Sequence, residues 1–214
     1  MNFGNIMIFG DSYSTFKDAV PKGYAVYYTT EREAGPNITE ISDTWWHSLI
    51  SETGSTLVLN DSWSGSTICY TGYSGADTSK TSSFITRLNR YLEEGFFEKE
   101  KIDTVFIFGA TNDNWADAPI GSLMYENIEK GDLYSVLPAI CYFLGKLKDA
   151  LPKANIVFII NTELKPEISS AIKEAASHYG IRSVSLSDID KEAGHPTVLG
   201  MKQIKEQVMA ALSD

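Results

Sequence analysis

Residues 5–14 read Asn-Ile-Met-Ile-Phe-Gly-Asp-Ser-Tyr-Ser. Four apolar residues in a row, Ile6 to Phe9, predict a short strand buried on both faces, since a half-exposed strand alternates with polar residues. Gly10, Asp11 and Ser12 end the run and set a serine just past the strand's carboxyl end. Comparable short runs recur at 56–60 (TLVLN), 104–108 (TVFIF), 156–160 (IVFII) and 182–186 (RSVSL). Between them, apolar residues return at helical spacing. Trp45, Trp46, Leu49 and Ile50 make one such face within 43–53, and Phe84, Ile85, Leu88, Tyr91 and Leu92 another within 82–94. Residues 134–150, 166–179 and 197–212 continue the pattern, with Pro138 expected in a first helical turn. Strands separated by helices imply βαβ units and a parallel sheet, hence the α/β class. No repeat, low-complexity tract or linker interrupts this alternation, so a single domain over 1–214 is expected.

Two connections, 20–40 and 110–132, are too long to be simple links in a compact domain. Each follows the carboxyl end of an expected strand, the edge at which open α/β sheets bind ligands. A functional site is therefore expected on that edge.

Composition narrows the function classes. The 214 residues are 43% apolar and 21% charged, ordinary globular usage that excludes a disordered chain. There are 18 basic and 28 acidic residues, a net charge of −10, and no Lys/Arg cluster. Nucleic acid and anionic membrane surfaces are poor partners for such a chain. No run of about 18 apolar residues is present to span a bilayer. The first ten residues lack a basic flank, a long apolar stretch and a small-residue cleavage site. A cytoplasmic, reduced protein is expected, or an extracytoplasmic one if a signal peptide has been removed. Cys69 and Cys141 form no CxxC and are expected as two buried thiols.

Ser12, after a glycine at a strand end, is placed either to project from the sheet edge as a nucleophile or to cap the next helix. The GxSxG elbow of α/β-hydrolases is absent, because position 14 is Ser. A serine nucleophile needs a base, and three histidines are available. His47 lies on the Trp45-Trp46 helix, where a packed or surface histidine is expected, and His178 near a helix end. His195 stands in a polar loop, Asp190-Lys-Glu-Ala-Gly-His-Pro196, between the last strand and the last helix. An imidazole there is the natural proton acceptor near neutral pH, and a nearby carboxylate would orient it. Acyl transfer also needs donors aimed at the developing oxyanion. Two strand-end loops offer them: Ser64-Gly65-Ser66-Thr67, and Gly109-Ala-Thr-Asn112-Asp113. Ser, Gly, Asn and His thus fall on four loops at one sheet edge. The histidines have no ligand spacing and HExxH is absent, so neither a metal nor another cofactor is implied.

On these four blocks, in this order from residue 10 to residue 196, the chain resembles the SGNH (GDSL-type) hydrolase family. The resemblance implies a flavodoxin-like αβα sandwich of about five parallel strands with the site at their carboxyl ends. It implies a serine esterase in which Ser12 is the nucleophile and His195 the base, while the Ser12 and Gly65 N–H groups and the Asn112 amide form the oxyanion hole. The family's acid stands three residues before the histidine, where this chain has Glu192; Asp190 and a backbone carbonyl are the alternatives. Aromatics in the loops, Tyr13, Trp63 and Trp115 foremost, suit sugar rings, so a short acyl ester of a carbohydrate or other small molecule is the expected substrate. An acyltransferase and a binding module with a decayed site are the rival readings.

Overall fold

The apolar run at the amino end forms β1 (Asn5–Gly10), which pairs in parallel with β2 (Thr56–Ser62) on one side and β3 (Thr104–Phe108) on the other. β4 (Asn155–Ile160) and β5 (Arg182–Ser185) complete a five-stranded parallel sheet in the order β2-β1-β3-β4-β5. This computed structural model describes residues 1–31 and 35–213.

Side chains alternate across the sheet and divide the core in two. Ile6, Ile8, Phe106, Phe108, Val157 and Ile159 face α1 (Trp45–Thr53) and α7 (Val198–Leu212), where Trp45, Trp46, Met201 and Ile204 are buried. Met7, Phe9, Val105, Ile107, Ile156 and Phe158 face the opposite layer. That layer holds α2 (Phe84–Glu93), α5 (Val136–Ala150) and α6 (Pro166–His178). With both faces covered, the central strands have no wet side and no reason to alternate in hydropathy. This is the three-layer α/β architecture that the sequence implies.

The helix boundaries follow from capping chemistry. The Thr44 hydroxyl accepts the His47 N–H at the start of α1, and Gly54 ends it in a left-handed conformation (φ 62°). Ser83 accepts the Thr86 N–H at the start of α2. The helix expected over 134–150 begins later, because Ser135 is extended and separates a 3-10 turn at 132–134 from α5. Pro138 lies in the first turn of α5, where its missing N–H costs nothing.

Short elements escape the periodicity argument. They are α3 (Phe96–Lys99), α4 (Thr111–Trp115) and an antiparallel hairpin of β6 (Lys191–Glu192) with β7 (His195–Pro196). Both long connections are built into the body. The carbonyls of Pro119 and Ile120 accept the Val136 and Leu137 N–H groups at the start of α5. In the other connection, Tyr27 N–H donates to the Thr15 hydroxyl at 2.8 Å and Tyr28 hydroxyl to the Pro196 carbonyl at 2.9 Å. Residues 32–34 of that connection lie outside the described residues. Cys69 and Cys141 are buried free thiols. No helix among the described residues is long and apolar enough to cross a membrane.

Candidate active site

Ser12 sits where β1 ends and the chain turns sharply. Gly10 makes the turn possible, because a Cβ there would lie 2.7 Å from the Ser14 Cβ and against the Ser62 hydroxyl. Asp11, rather than Ser12, serves as the cap: its Oδ1 accepts the Tyr13 N–H at 3.0 Å and holds the 3-10 turn over Ser12–Ser14. Ser12 is thereby left with its hydroxyl unspent on the backbone, 3% exposed, and its Oγ lies 2.9 Å from His195 Nε2.

His195 arrives from the far end of the chain on the β6–β7 hairpin, whose turn residues Ala193 and Gly194 both have positive φ (48° and 77°). The imidazole lies against the Tyr27 ring, with centroids 3.5 Å apart and planes 8° from parallel. Its Nδ1 stands 3.3 Å from the Ala193 carbonyl oxygen. The Tyr13 hydroxyl donates to the Gly194 carbonyl at 2.5 Å, which fixes the hairpin against the Ser12–Ser14 turn. Glu192, the expected acid, is exposed, and its side chain makes no hydrogen bond or ion pair with His195 among the described residues. The Asp190 carboxylate accepts the Thr197 hydroxyl. Of the three alternatives, the backbone carbonyl is the one in contact with Nδ1.

Gly65 adopts φ 80°, open to glycine and strained for other residues, in the turn that follows β2. Asn112, 2% exposed, stands in the first turn of α4 and donates from Nδ2 to the Ser66 carbonyl at 3.0 Å. Among the described residues, the N–H groups of Ser12 and Gly65 donate to no protein acceptor. Asp113 locks the two loops together: its buried carboxylate accepts the Ile68 N–H at 2.8 Å and the Cys69 N–H at 3.0 Å. Burial pushes its pKa upward against those hydrogen bonds. Among the described residues no cluster of three or more His, Cys, Asp or Glu side chains is placed to hold a metal.

The family model for GDSL-like lipase/acylhydrolase matches residues 4–212. The chain belongs to this family. A candidate GDSL-like lipase from Bacteroides ovatus ATCC 8483 is 40% identical, with a TM-score of 0.91 over 98% of each chain. Another, from Bacteroides uniformis ATCC 8492, is 42% identical with a TM-score of 0.91, over 98% of this chain and 95% of that one. An acetyl xylan esterase from the rumen bacterium Butyrivibrio proteoclasticus shares the fold at 13% identity and a TM-score of 0.61, over 98% of this chain and 63% of its own. None of the curated proteins matches the chain. The protein is an SGNH-type esterase, a hydrolase acting on esters.

In this GDSL-like esterase the aromatic residues divide by burial. Tyr13, expected at the substrate, is fully buried and donates its hydroxyl to the Gly194 carbonyl. Trp63 lies tilted against Tyr24, with centroids 4.2 Å apart and planes 35° from parallel. Trp115 stays 39% exposed with its ring centroid 5.6 Å from that of His195. Three residues of the site carry no motif. Tyr27 lies in a connection marked only by its length. Arg87 is buried in α2, where a sequence predicts apolar residues, and donates to the Gly10 carbonyl and the Ser66 hydroxyl, each at 3.2 Å. Tyr73 donates its hydroxyl to Asn112 Oδ1 at 2.7 Å.

Proposed function

We propose that this esterase removes short acyl groups, acetyl foremost, from carbohydrate hydroxyls through a covalent intermediate on Ser12. The observation that carries the reading is the 2.9 Å contact between Ser12 Oγ and His195 Nε2, a nucleophile and base within hydrogen-bond reach at the ligand-binding edge of the sheet. Oγ attacks the ester carbonyl carbon as its proton passes to Nε2. The carbonyl oxygen, now negative, accepts from the Ser12 and Gly65 N–H groups and from the Asn112 amide. Collapse breaks the carbon–oxygen bond to the alcohol, which leaves with the proton from Nε2. Water then attacks the acyl-serine with the same proton path reversed and frees the carboxylic acid.

Two observations support the carbohydrate part. Among the described residues, the two large aromatic side chains that remain exposed, Tyr73 at 43% and Trp115 at 39%, border Asn112 and His195 respectively. Flat rings beside a polar site suit the faces of sugars. The fold is also shared with the acetyl xylan esterase. The test is acetate release from acetylated xylan and from p-nitrophenyl esters of increasing chain length. Rates falling steeply beyond short acyl groups, and lost in Ser12→Ala, are expected. Undiminished turnover of long-chain esters, or activity retained in Ser12→Ala, would contradict the reading.

A further inference from the structure

We infer that Tyr73 is a positioning residue for the oxyanion site, its hydroxyl fixing the Asn112 amide so that the nitrogen side faces the reacting carbonyl. This rests on the proposed role of Asn112 as an oxyanion donor. The hydrogen-bond inventory determines the direction of each contact. The Ser66 carbonyl only accepts, so the Asn112 atom facing it at 3.0 Å is Nδ2. The atom facing Tyr73 at 2.7 Å is then Oδ1, which only accepts, so the Tyr73 hydroxyl donates. One amide hydrogen is held by Ser66, the oxygen is held by Tyr73, and the second amide hydrogen is left for a ligand.

The mount of Tyr73 makes it suited to this task. It opens a tight turn in which Gly72 N–H donates to the Ala76 carbonyl at 2.7 Å and Ala76 N–H to the Tyr73 carbonyl at 3.1 Å. The same loop is tied to the chain before α5 by the Thr71 hydroxyl on the Tyr134 carbonyl at 2.7 Å and by the Tyr70 N–H on the Leu133 carbonyl at 2.8 Å. The ring is therefore carried on a stiff support that does not depend on Asn112. Burial and the nearby carboxylates of Asp11 and Asp113 push the phenol pKa upward, so the hydroxyl stays a donor. Donation to Oδ1 also draws electron density from the amide and strengthens Nδ2–H as a donor, because linked hydrogen bonds polarise one another. Pinning and polarisation both act on the charge that develops in the transition state and leave ground-state binding nearly unchanged.

A double-mutant cycle on p-nitrophenyl acetate tests the assignment, using Tyr73→Phe, Asn112→Ala and the pair together. Tyr73→Phe removes one oxygen from a 43% exposed ring and leaves the loop's backbone hydrogen bonds in place. It is expected to lower kcat by about fivefold to tenfold, as for one lost hydrogen bond, with KM within about twofold. Asn112→Ala is expected to lower kcat by about 10²–10³, and the double variant to match Asn112→Ala alone. Unchanged kcat in Tyr73→Phe, a change confined to KM, or a loss that repeats in full in the Asn112→Ala background would overturn the role of Tyr73 while leaving Asn112 as the donor. Unchanged kcat in Asn112→Ala would overturn the oxyanion assignment itself, and the inference with it.

Discussion

Asp11 stands one residue before Ser12, fully buried, with one carboxylate oxygen capping the Ser12 turn and the other, Oδ2, without a hydrogen-bond partner among the described residues. Burial opposes its negative charge and raises its pKa from 3.8 to about 7, with the Asp113 carboxylate adding to the rise and the Tyr13 N–H opposing it. The folded protein therefore keeps a proton that the unfolded chain releases above about pH 4. Stability contributed by this group is full below pH 4, falls as pH rises toward 7, and is level above that. Asp11→Asn keeps the shape and removes the charge. Its melting temperature relative to the parent should climb between pH 4 and pH 7, by an amount worth up to about 4 kcal/mol. Parallel melting curves across that range would show that Asp11 carries no such burden. At the histidine the same scale gives a second expectation. Glu192→Gln should leave kcat within about twofold, since its side chain is exposed and makes no hydrogen bond or ion pair with His195 among the described residues. Asp190→Asn disturbs the hydroxyl that caps α7, just after His195, and should be the more harmful of the two. The reverse ranking would make Glu192 the acid that orients His195. Sequence alone could not decide this, because the direction a side chain leaves a two-residue hairpin depends on a turn too short to leave a pattern.

At the scale of elements, the α2 helix does more than cover the sheet. Arg87 enters the buried face and pairs with Asp61 at the end of β2 with both side chains fully buried, while the Tyr91 hydroxyl from the same helix donates to Asp61 at 2.8 Å. The remaining guanidinium nitrogens hold Gly10, Ser66 and Ser82, so the end of β1, the turn after β2 and the start of α2 share one anchor. Arg87→Met would remove the buried partner of Asp61 and leave it, among the described residues, only Arg90, at 3.8 Å, and the Tyr24 and Tyr91 hydroxyls. A loss of about 3–5 kcal/mol in denaturant unfolding is expected. A loss under about 1 kcal/mol would mean that the pair is solvated or dispensable. The same helix shows where sequence reading succeeds. Phe84, Ile85, Leu88 and Tyr91 lie on the buried face that their spacing predicts. The strands were equally legible, since β1, β3 and β4 are nearly unbroken apolar runs buried on both sides. What could not be read were elements of two to five residues. α3, α4 and the β6–β7 hairpin are shorter than the window over which a period is visible, and long-range contacts hold them. Arg87 was hidden for a related reason: a charged residue at a helix's core position looks like its solvent face until its partner is known.

Over the whole molecule, parallel topology gathers residues distant in the chain at one edge. β1 and β3 are neighbours and end together, so Ser12 and Asn112 follow adjacent strand ends, and His195 returns on the hairpin after β5. The four blocks were legible because each combines a buried strand's end with a polar loop. Their meeting follows from the rule that ligand sites lie at the carboxyl ends of parallel strands. Fine placement was less legible: Tyr13, a fitting sugar platform by residue type, is consumed by the core, and Tyr73, one aromatic among several, contacts the candidate oxyanion donor. The central claim is that this fold activates Ser12 through His195. Labelling with a fluorophosphonate, followed by peptide mapping, measures that directly, because the reagent modifies only an activated serine. A single adduct on Ser12, slowed by orders of magnitude in His195→Ala, is predicted. No adduct, or one on Ser14 or Ser64 in place of Ser12, would contradict it.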